Sequence, residues 1–141
     1  MKKVSMTSKL NLSKWNILVV DDDAPSISLI EAVFKPHKAH IYSAASGNEA
    51  LEKLKNMPCP KLILCDIQMY PMDGYILRDR IRETPSFIHT PIIAVTAQAL
   101  NGDRERILAA GFDGYISKPY HVATFVYDII DKCNRYIHDQ E

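Results

Sequence analysis

The chain has 141 residues, of which 47% are hydrophobic and 24% charged, a size and composition typical of one soluble globular domain. Its 17 basic and 17 acidic residues balance, so the overall charge gives no reason to expect binding to nucleic acid or to an acidic membrane. No apolar run reaches the ~18 residues of a membrane span, and no apolar stretch follows the N-terminal lysines as it would in a signal peptide.

Five short apolar runs alternate with helix patterns along the chain. Runs of this kind predict strands that are buried on both faces, as in parallel sheets. The predicted strands cover residues 16–20, 39–45, 61–65, 91–95 and 112–117. Five strand–helix units predict an α/β fold, a flavodoxin-like doubly wound (βα)5 sheet with right-handed crossovers and strand order 2-1-3-4-5.

Prolines and capping residues set the predicted helix boundaries. Pro25 suits the first turn of the first helix, which ends before Pro36. Residues 46–48 predict a turn ahead of the second helix. Asp73 and Asp103 are expected to cap the third and fourth helices.

The remaining segments complete the predicted organisation. We divide the chain into an N-terminal leader (1–15), one domain (16–138) and a short tail (139–141), with a loop of unknown purpose at residues 84–91. Gly111 fits the position just past the end of the fourth helix. The last helix carries an apolar stripe that is expected to face the core: Val122, Phe125, Val126, Ile129, Ile130, Cys133 and Ile137.

The cysteines indicate a cellular compartment. Cys59, Cys65 and Cys133 are odd in number and lack CxxC spacing. This pattern favours a reducing environment over a disulfide framework or a zinc site, so we expect a cytoplasmic protein.

Polar residues follow four of the five predicted strands. Asp21 and Asp22 follow the first, Asp66 the third, Thr96 the fourth and Lys118 the fifth. Ligands of open α/β sheets bind at the carboxyl ends of the strands, so we expect these side chains to converge. Three ionised carboxylates so close together repel one another and require a hard cation such as Mg²⁺.

Asp66 is the candidate nucleophile of a phosphoryl-accepting site. A carboxylate can attack phosphorus and form an aspartyl phosphate. Lys118 can pair with Asp66 at rest and with a phosphoryl oxygen afterwards, and Thr96 can donate its hydroxyl to another. Each residue also has a simpler interpretation: Asp23 as a helix cap with solvated aspartate neighbours, Asp66 as a turn residue, a solvated lysine, and a threonine that merely fits the pleat.

Five motifs together resemble one protein family. They are residues 18–23 (LVVDDD), 45–51 (ASGNEAL), 66–74 (DIQMYPMDG), 91–97 (PIIAVTA) and 111–119 (GFDGYISKP). From about Asn16 to Tyr136 the chain resembles the receiver domain of two-component response regulators, of the chemotaxis-Y-like, single-domain type.

The resemblance implies how the acidic residues work. Asp66 accepts a phosphoryl group from a phosphohistidine on a sensor histidine kinase or a histidine phosphotransfer protein. Mg²⁺ is the implied cofactor, held directly by Asp22 and Asp66, through water by Asp21, and by the backbone carbonyl of Gln68.

The resemblance also implies a switch. Lys118 and Thr96 contact the phosphoryl group, and Tyr115 moves inward as Thr96 shifts. The Lys118–Pro119 peptide bond is expected to be cis. The face formed by the fourth helix, the fifth strand and the last helix then binds a downstream protein partner, with the chain a monomer or a phosphorylation-dependent dimer. Such a protein is a switch that catalyses its own phosphorylation and aspartyl-phosphate hydrolysis, not a conventional enzyme.

One residue near the site departs from the usual family sequence, and two others occupy positions where family members differ. Tyr70 stands where family members usually carry proline, with Pro71 after it. Gln68 and Gln98 occupy the positions two residues after Asp66 and Thr96, which flank the path of the attacking water. We expect the two glutamines to tune hydrolysis of the aspartyl phosphate.

Several other functions compete with this interpretation. The chain could be a phosphate-independent receiver-like interaction module, although such modules commonly lose one of the site residues. It could also be a receiver fragment of a hybrid kinase or larger regulator; its initial methionine and leader favour a complete single-domain regulator. An aspartate-nucleophile phosphatase or dehalogenase would need an aspartate in place of Gln68, and a flavodoxin would need a Ser/Thr/Gly-rich phosphate loop after the first strand.

Overall fold

A computed structural model describes residues 10–97 and 102–140 of the chain, which form one parallel sheet flanked by helices. The strands are β1 (Asn16–Val20), β2 (His40–Ala44), β3 (Leu62–Cys65), β4 (Ile92–Thr96) and β5 (Gly114–Ser117). The α-helices are α1 (Ala24–Phe34), α2 (Gly47–Asn56), α3 (Gly74–Arg82), α4 (Asp103–Ala109) and α5 (Val122–Gln140). The sheet order β2-β1-β3-β4-β5 confirms the predicted doubly wound fold.

The strand register aligns the carboxyl ends of the strands. Val20 of β1 pairs with Ala44 of β2 on one side and with Cys65 of β3 on the other. Ala94 of β4 lies between Cys65 and Tyr115 of β5. The residues that follow the strands therefore lie along a single edge of the sheet.

Two hydrophobic cores cover the two faces of the sheet. Successive residues of a strand point to opposite faces, so Leu18 and Val20 lie in one core while Ile17 and Val19 lie in the other. The first core packs the sheet against α2, α3 and α4, and the second packs it against α1 and α5. Both faces are thus covered, which explains why the strands are almost wholly apolar.

Two predicted helix starts are wrong. Residues 47 and 48 belong to α2, whose cap is Ser46: its Oγ accepts a hydrogen bond from the N–H of Glu49 at 3.1 Å. The Glu49 carboxylate accepts in return from the N–H of Ala45 at 3.1 Å, so the S-x-x-E sequence was a helix-start signal. Asp103 is not the cap of α4 but its first residue, since Gly102 occupies the cap position with φ 86°.

The apolar stripe of α5 is core-facing only in its middle. Val122 and Ile137 are 51% and 36% exposed, whereas the five apolar residues between them are buried. None of the described helices has both the length and the apolar character required to cross a membrane.

The segment between α3 and β4 surrounds an arginine. Arg82 Nη1 donates to the carbonyls of Phe87 and Thr90 at 2.6 and 2.7 Å, and its Nη2 donates to Asp113 Oδ2 at 2.8 Å. Asp113 Oδ2 also accepts from the N–H of Ile92 at 2.8 Å. The segment over residues 84–91, whose purpose the sequence did not show, thus contributes hydrogen bonds that link α3 to the starts of β4 and β5.

Residues 10–15 pack against the domain. The N–H of Leu12 donates to the His37 carbonyl at 2.7 Å, and that of Leu10 donates to His37 Nδ1 at 2.9 Å. Leu12 is buried in the second core, which Trp15 also contacts. The Lys61 ammonium lies 5.1 Å from the centroid of the Trp15 ring.

Candidate functional site

Backbone hydrogen bonds beyond the strands place the aspartates. The N–H of Asp21 donates to Ala44 at 3.1 Å, and the N–H of Asp66 donates to Val20 at 2.9 Å. These bonds extend the parallel ladder by one step past β1 and β3. Asp21 and Asp66 are thereby fixed next to each other at the edge of the sheet.

Three carboxylates form an acid cluster at this edge. One oxygen each from Asp21, Asp22 and Asp66 lies within 4.8 Å of the others. Asp21 and Asp66 are buried, at 2% and 8% exposure, while Asp22 is exposed. The structure therefore brings together the three aspartates that the sequence predicted, and leaves an opening on the Asp22 side.

Lys118 supplies the positive charge beside the acid cluster. Its Nζ donates to Asp21 Oδ2 at 2.6 Å and lies 3.7 Å from Asp66 Oδ2. The expected ion pair between Lys118 and Asp66 is therefore present, and the shorter contact of the ammonium is a hydrogen bond to Asp21. The backbone N–H of Lys118 donates to the Thr96 carbonyl at 2.9 Å, and the Lys118–Pro119 bond is cis, as expected.

Burial and neighbouring charges shift the pKa values of the site. Burial raises the pKa of Asp21, and the charge of Asp66 adds to this rise, although the hydrogen bonds from Lys118 and from the N–H of Asp23 oppose it. Burial alone would lower the pKa of Lys118, but the hydrogen bond to Asp21 and the charges of Asp66 and Asp21 raise it. The lysine is therefore protonated at neutral pH.

The donor set suits a hard divalent cation. The acid cluster has three carboxylates against one ammonium within 4 Å among the described residues, so the folded site carries excess negative charge. Oxygen ligands with excess negative charge are the environment that Mg²⁺ prefers. The residues present therefore fit the cation that the sequence predicted.

The loop between β3 and α3 wraps closely around Asp66. The N–H of Gly74 donates to the Ile67 carbonyl at 2.9 Å, and Asp73 caps α3 by accepting from the N–H of Ile76 at 2.9 Å. A Cβ added at Gly74 would lie 2.5 Å from the Asp66 carbonyl oxygen. Only glycine therefore lets α3 begin so close to the site.

The exposed part of this loop carries the residue that departs from the family pattern. Tyr70 is 86% exposed, and the Tyr70–Pro71 bond is cis. The side chain of Gln68 is exposed. The backbone N–H of Gln68 donates to Asp66 Oδ1 at 3.3 Å. Gln98 lies outside the described residues.

Thr96 and Tyr115 lie on adjacent strands. Thr96 is fully buried at the end of β4, opposite Ser117 of β5. Tyr115 precedes Ser117 by two residues on β5 and is half-buried against the first core. The two residues that the resemblance implied as a switch are therefore close along the sheet, near its β5 edge.

Sequence reasoning did not single out Ser26 and included Gly74 only as part of a motif, although both residues shape the site. Ser26 accepts a hydrogen bond from Lys118 Nζ at 3.3 Å, and Gly74 permits the close approach of α3. The position of Ser26, three residues after the Asp23 cap, places it in the first turn of α1. A serine there also has a simple capping role, so the sequence alone did not single it out.

Comparison with known proteins gives a consistent set of similarities. The family model described as the response regulator receiver domain matches residues 17–129. The signal transduction histidine-protein kinase BarA of Escherichia coli is 40% identical over 116 residues, which are 82% of this chain but 12% of the kinase. The polar-differentiation response regulator DivK of Brucella ovis is 34% identical over 111 residues, 79% of this chain and 89% of DivK.

A solved structure shares the fold. The receiver domain of sensor histidine kinase PA1611 from Pseudomonas aeruginosa is 31% identical, with a TM-score of 0.75, over 85% of this chain and 98% of that one. That receiver has a magnesium ion coordinated in its active site cleft.

Proposed function

The chain belongs to the response regulator receiver domain family, and from that premise we propose that it is a phosphorylation-controlled switch of a two-component system. Asp66 accepts a phosphoryl group from a phosphohistidine on a sensor histidine kinase or a histidine phosphotransfer protein. The observation that carries the proposal is the acid cluster, with its three carboxylate oxygens within 4.8 Å of one another and the Lys118 ammonium beside them.

The acid cluster is the proposed Mg²⁺ site. Asp22 and Asp66 hold the ion directly, Asp21 holds it through water, and the backbone carbonyl of Gln68 is a further ligand. When bound, Mg²⁺ neutralises part of the negative charge on acceptor and donor together. The magnesium ion in the similar Pseudomonas aeruginosa receiver supports this assignment.

Phosphoryl transfer uses the side chains at the strand ends. A carboxylate oxygen of Asp66 bonds to phosphorus as the bond between phosphorus and the donor imidazole nitrogen breaks, and the imidazole keeps the electron pair. The Lys118 ammonium and the Thr96 hydroxyl contact the phosphoryl oxygens. Water later hydrolyses the aspartyl phosphate, which restores Asp66 and releases inorganic phosphate. Gln68 and Gln98 tune the rate of this hydrolysis.

Phosphorylation changes a surface remote from the acid cluster. The new charge biases the positions of Thr96 and Tyr115, and thereby the α4–β5–α5 face. A surface cavity on this face is lined in part by Arg104, Lys132 and Arg135. Its basic lining favours a protein partner with acidic groups. The three cysteines, all free, favour a cytoplasmic setting for this exchange.

The similarity to BarA supports a second setting for the same activity. The chain matches 12% of the length of that kinase, so an equivalent receiver can be one segment of a hybrid kinase. A phosphate-independent module is disfavoured because Asp22, Asp66, Thr96 and Lys118 are all present at the strand ends.

The experiment that tests the proposal is an intact-mass measurement. The protein is incubated with acetyl phosphate and Mg²⁺, beside an Asp66→Asn variant and a sample that contains a chelator. We expect one phosphoryl adduct on the parent chain and none in the two controls. An unmodified parent chain with an intact fold would refute the proposal.

A further inference from the structure

The Lys118 ammonium contacts two oxygens besides the one on Asp66. Its Nζ is 2.6 Å from Asp21 Oδ2 and 3.3 Å from Ser26 Oγ. The distance to Asp66 Oδ2 is longer, at 3.7 Å, which is an ion pair but not a hydrogen bond. At rest the ammonium is therefore hydrogen-bonded to Asp21 and Ser26, and it is ion-paired but not hydrogen-bonded with the acceptor carboxylate.

Ser26 is oriented to accept from this ammonium. Its hydroxyl donates to Asp23 Oδ2 at 2.6 Å, which uses the hydroxyl hydrogen and leaves the oxygen lone pairs for Lys118. Asp23 Oδ2 also accepts from the Ser26 N–H at 3.2 Å as the cap of α1. The serine is thus fixed at both its hydroxyl and its backbone, in the first turn of a helix.

We propose that Ser26 is a positioning residue that holds Lys118 in its resting place and thereby restrains phosphorylation of Asp66. The inference rests on the proposed function, since it concerns the lysine that contacts the incoming phosphoryl group. To reach that group, the ammonium must give up its bond to Ser26. An interaction present in the ground state and absent from the transition state slows the reaction.

The proposal predicts a gain in rate when the hydroxyl is removed. The bond is long, at 3.3 Å, and loss of one hydrogen bond of ordinary strength changes an equilibrium by about fivefold. We expect Ser26→Ala to raise the maximal rate of phosphorylation by acetyl phosphate about fivefold, with little change in the acetyl phosphate concentration that gives half the maximal rate. Ser26→Thr retains the hydroxyl and is expected to return the rate to that of the parent chain.

Ser28→Ala is the matched control. Ser28 lies on the same helix and is exposed. Its substitution changes helix propensity in the same way, since serine is again replaced by alanine. The rate for each variant is followed by intact mass at a series of acetyl phosphate concentrations. A Ser26→Ala rate equal to or below that of the parent chain, or an equal gain in Ser28→Ala, would overturn the proposal.

A second readout does not depend on phosphorylation. A ¹H–¹⁵N spectrum of the lysine ammonium groups detects those held by hydrogen bonds. We expect the Lys118 signal to broaden in Ser26→Ala and to recover in Ser26→Thr. An unchanged signal refutes the proposed restraint even if the parent chain is phosphorylated; a changed signal in a chain that takes no phosphate leaves the restraint in place and refutes the proposed function instead.

Discussion

At the scale of single residues, charge dominates the behaviour of the site. The raised pKa of Asp21 means that the fold disfavours ionisation of this carboxyl. Stability linked to its neutral form is present at low pH and is lost as pH rises above the usual value of 3.8. At neutral pH the ionised, buried Asp21 carboxylate therefore reduces stability, and a cation bound beside it is expected to offset this loss.

Substitution of Asp22 tests the metal site without disturbing the core. Asp22 is exposed, so Asp22→Asn is expected to fold and, free of metal, to be at least as stable as the parent chain. Mg²⁺ at about 100 times its dissociation constant should stabilise the parent chain by about 2.7 kcal/mol. Thermal unfolding with and without Mg²⁺ should show this gain in the parent chain and in the exposed control Asp128→Asn, and not in Asp22→Asn. An equal gain in all three would place the ion elsewhere.

The cysteines differ in reactivity for a physical reason. Burial raises the pKa of the Cys133 thiol to about 12 from 9.0, and that of Cys65 also rises, whereas Cys59 is exposed. We expect iodoacetamide at pH 8 to alkylate Cys59 alone in the folded protein, as read by peptide mass. Rapid alkylation of Cys133 would contradict the packing of α5 on the sheet.

The same pKa predicts how stability changes in alkali. Because the folded pKa of Cys133 is raised, its stabilising contribution is complete below pH 9 and is lost between pH 9 and about pH 12. Between pH 8 and pH 10 this loss should be about 1 kcal/mol. Urea unfolding at the two pH values should show a smaller decrease for Cys133→Ala, although that variant is less stable overall. An unchanged decrease would mean that Cys133 does not titrate as its burial requires.

At the scale of elements, α3 runs from the acid cluster, at the carboxyl ends of the strands, to the opposite edge of the sheet, where β4 and β5 begin. It begins at Gly74 against the backbone of Asp66 and ends at Arg82 in the ion pair with Asp113. Between them, Tyr75 packs edge-on against Phe112 and Arg78 Nε donates to the Gly111 carbonyl at 3.2 Å. The helix is thus fixed at both ends and along one face.

Gly74→Ala tests the start of this helix. The added Cβ would meet the Asp66 carbonyl oxygen and the Ile67 Cα, both backbone atoms that cannot yield cheaply. We expect a loss of stability of about 1–3 kcal/mol and slower phosphorylation of Asp66. Gly47→Ala is the control, because its Cβ meets the flexible side chain of Met72. Equal effects of the two variants on phosphorylation would show that the close approach of α3 is unimportant.

Arg82 tests the other end of the helix. The ion pair with Asp113 is nearly buried, with 13% and 11% of the two side chains exposed, and burial raises the pKa of Asp113 despite its hydrogen bonds. Arg82→Ala leaves a buried carboxylate without its partner, so we expect a loss of about 3 kcal/mol in urea unfolding. Arg80→Ala, an exposed position on the same helix, should cost less than 1 kcal/mol. A loss of less than about 1 kcal/mol for Arg82→Ala would show that the hydrogen bonds of Arg82 to residues 84–91 and to Asp113 do not stabilise the fold.

At the scale of the whole molecule, the sequence predicted the sheet and the convergence of its site. Buried parallel strands are continuous apolar runs, so their number and carboxyl ends could be read directly, and Asp21, Asp22 and Asp66 meet where β1 and β3 end. The strand order followed from the common flavodoxin-like arrangement of such units, and the structure has that order. Contacts between elements were not predictable in the same way. The Ser26–Lys118 bond and the Arg82–Asp113 pair join residues 92 and 31 positions apart, and no periodicity encodes them. The start of α2 was missed for a different reason, since its capping box was present but was taken for a turn.

The measurement that tests the central claim most directly is the position of the phosphoryl group. The protein is phosphorylated with acetyl phosphate and Mg²⁺, and then reduced with borohydride, which converts an aspartyl phosphate to homoserine. Peptide mass mapping is expected to find homoserine at position 66 and unchanged aspartate at positions 21, 22 and 23. Homoserine at one of those three positions, or at none of the four, would contradict the assignment of Asp66 as the acceptor.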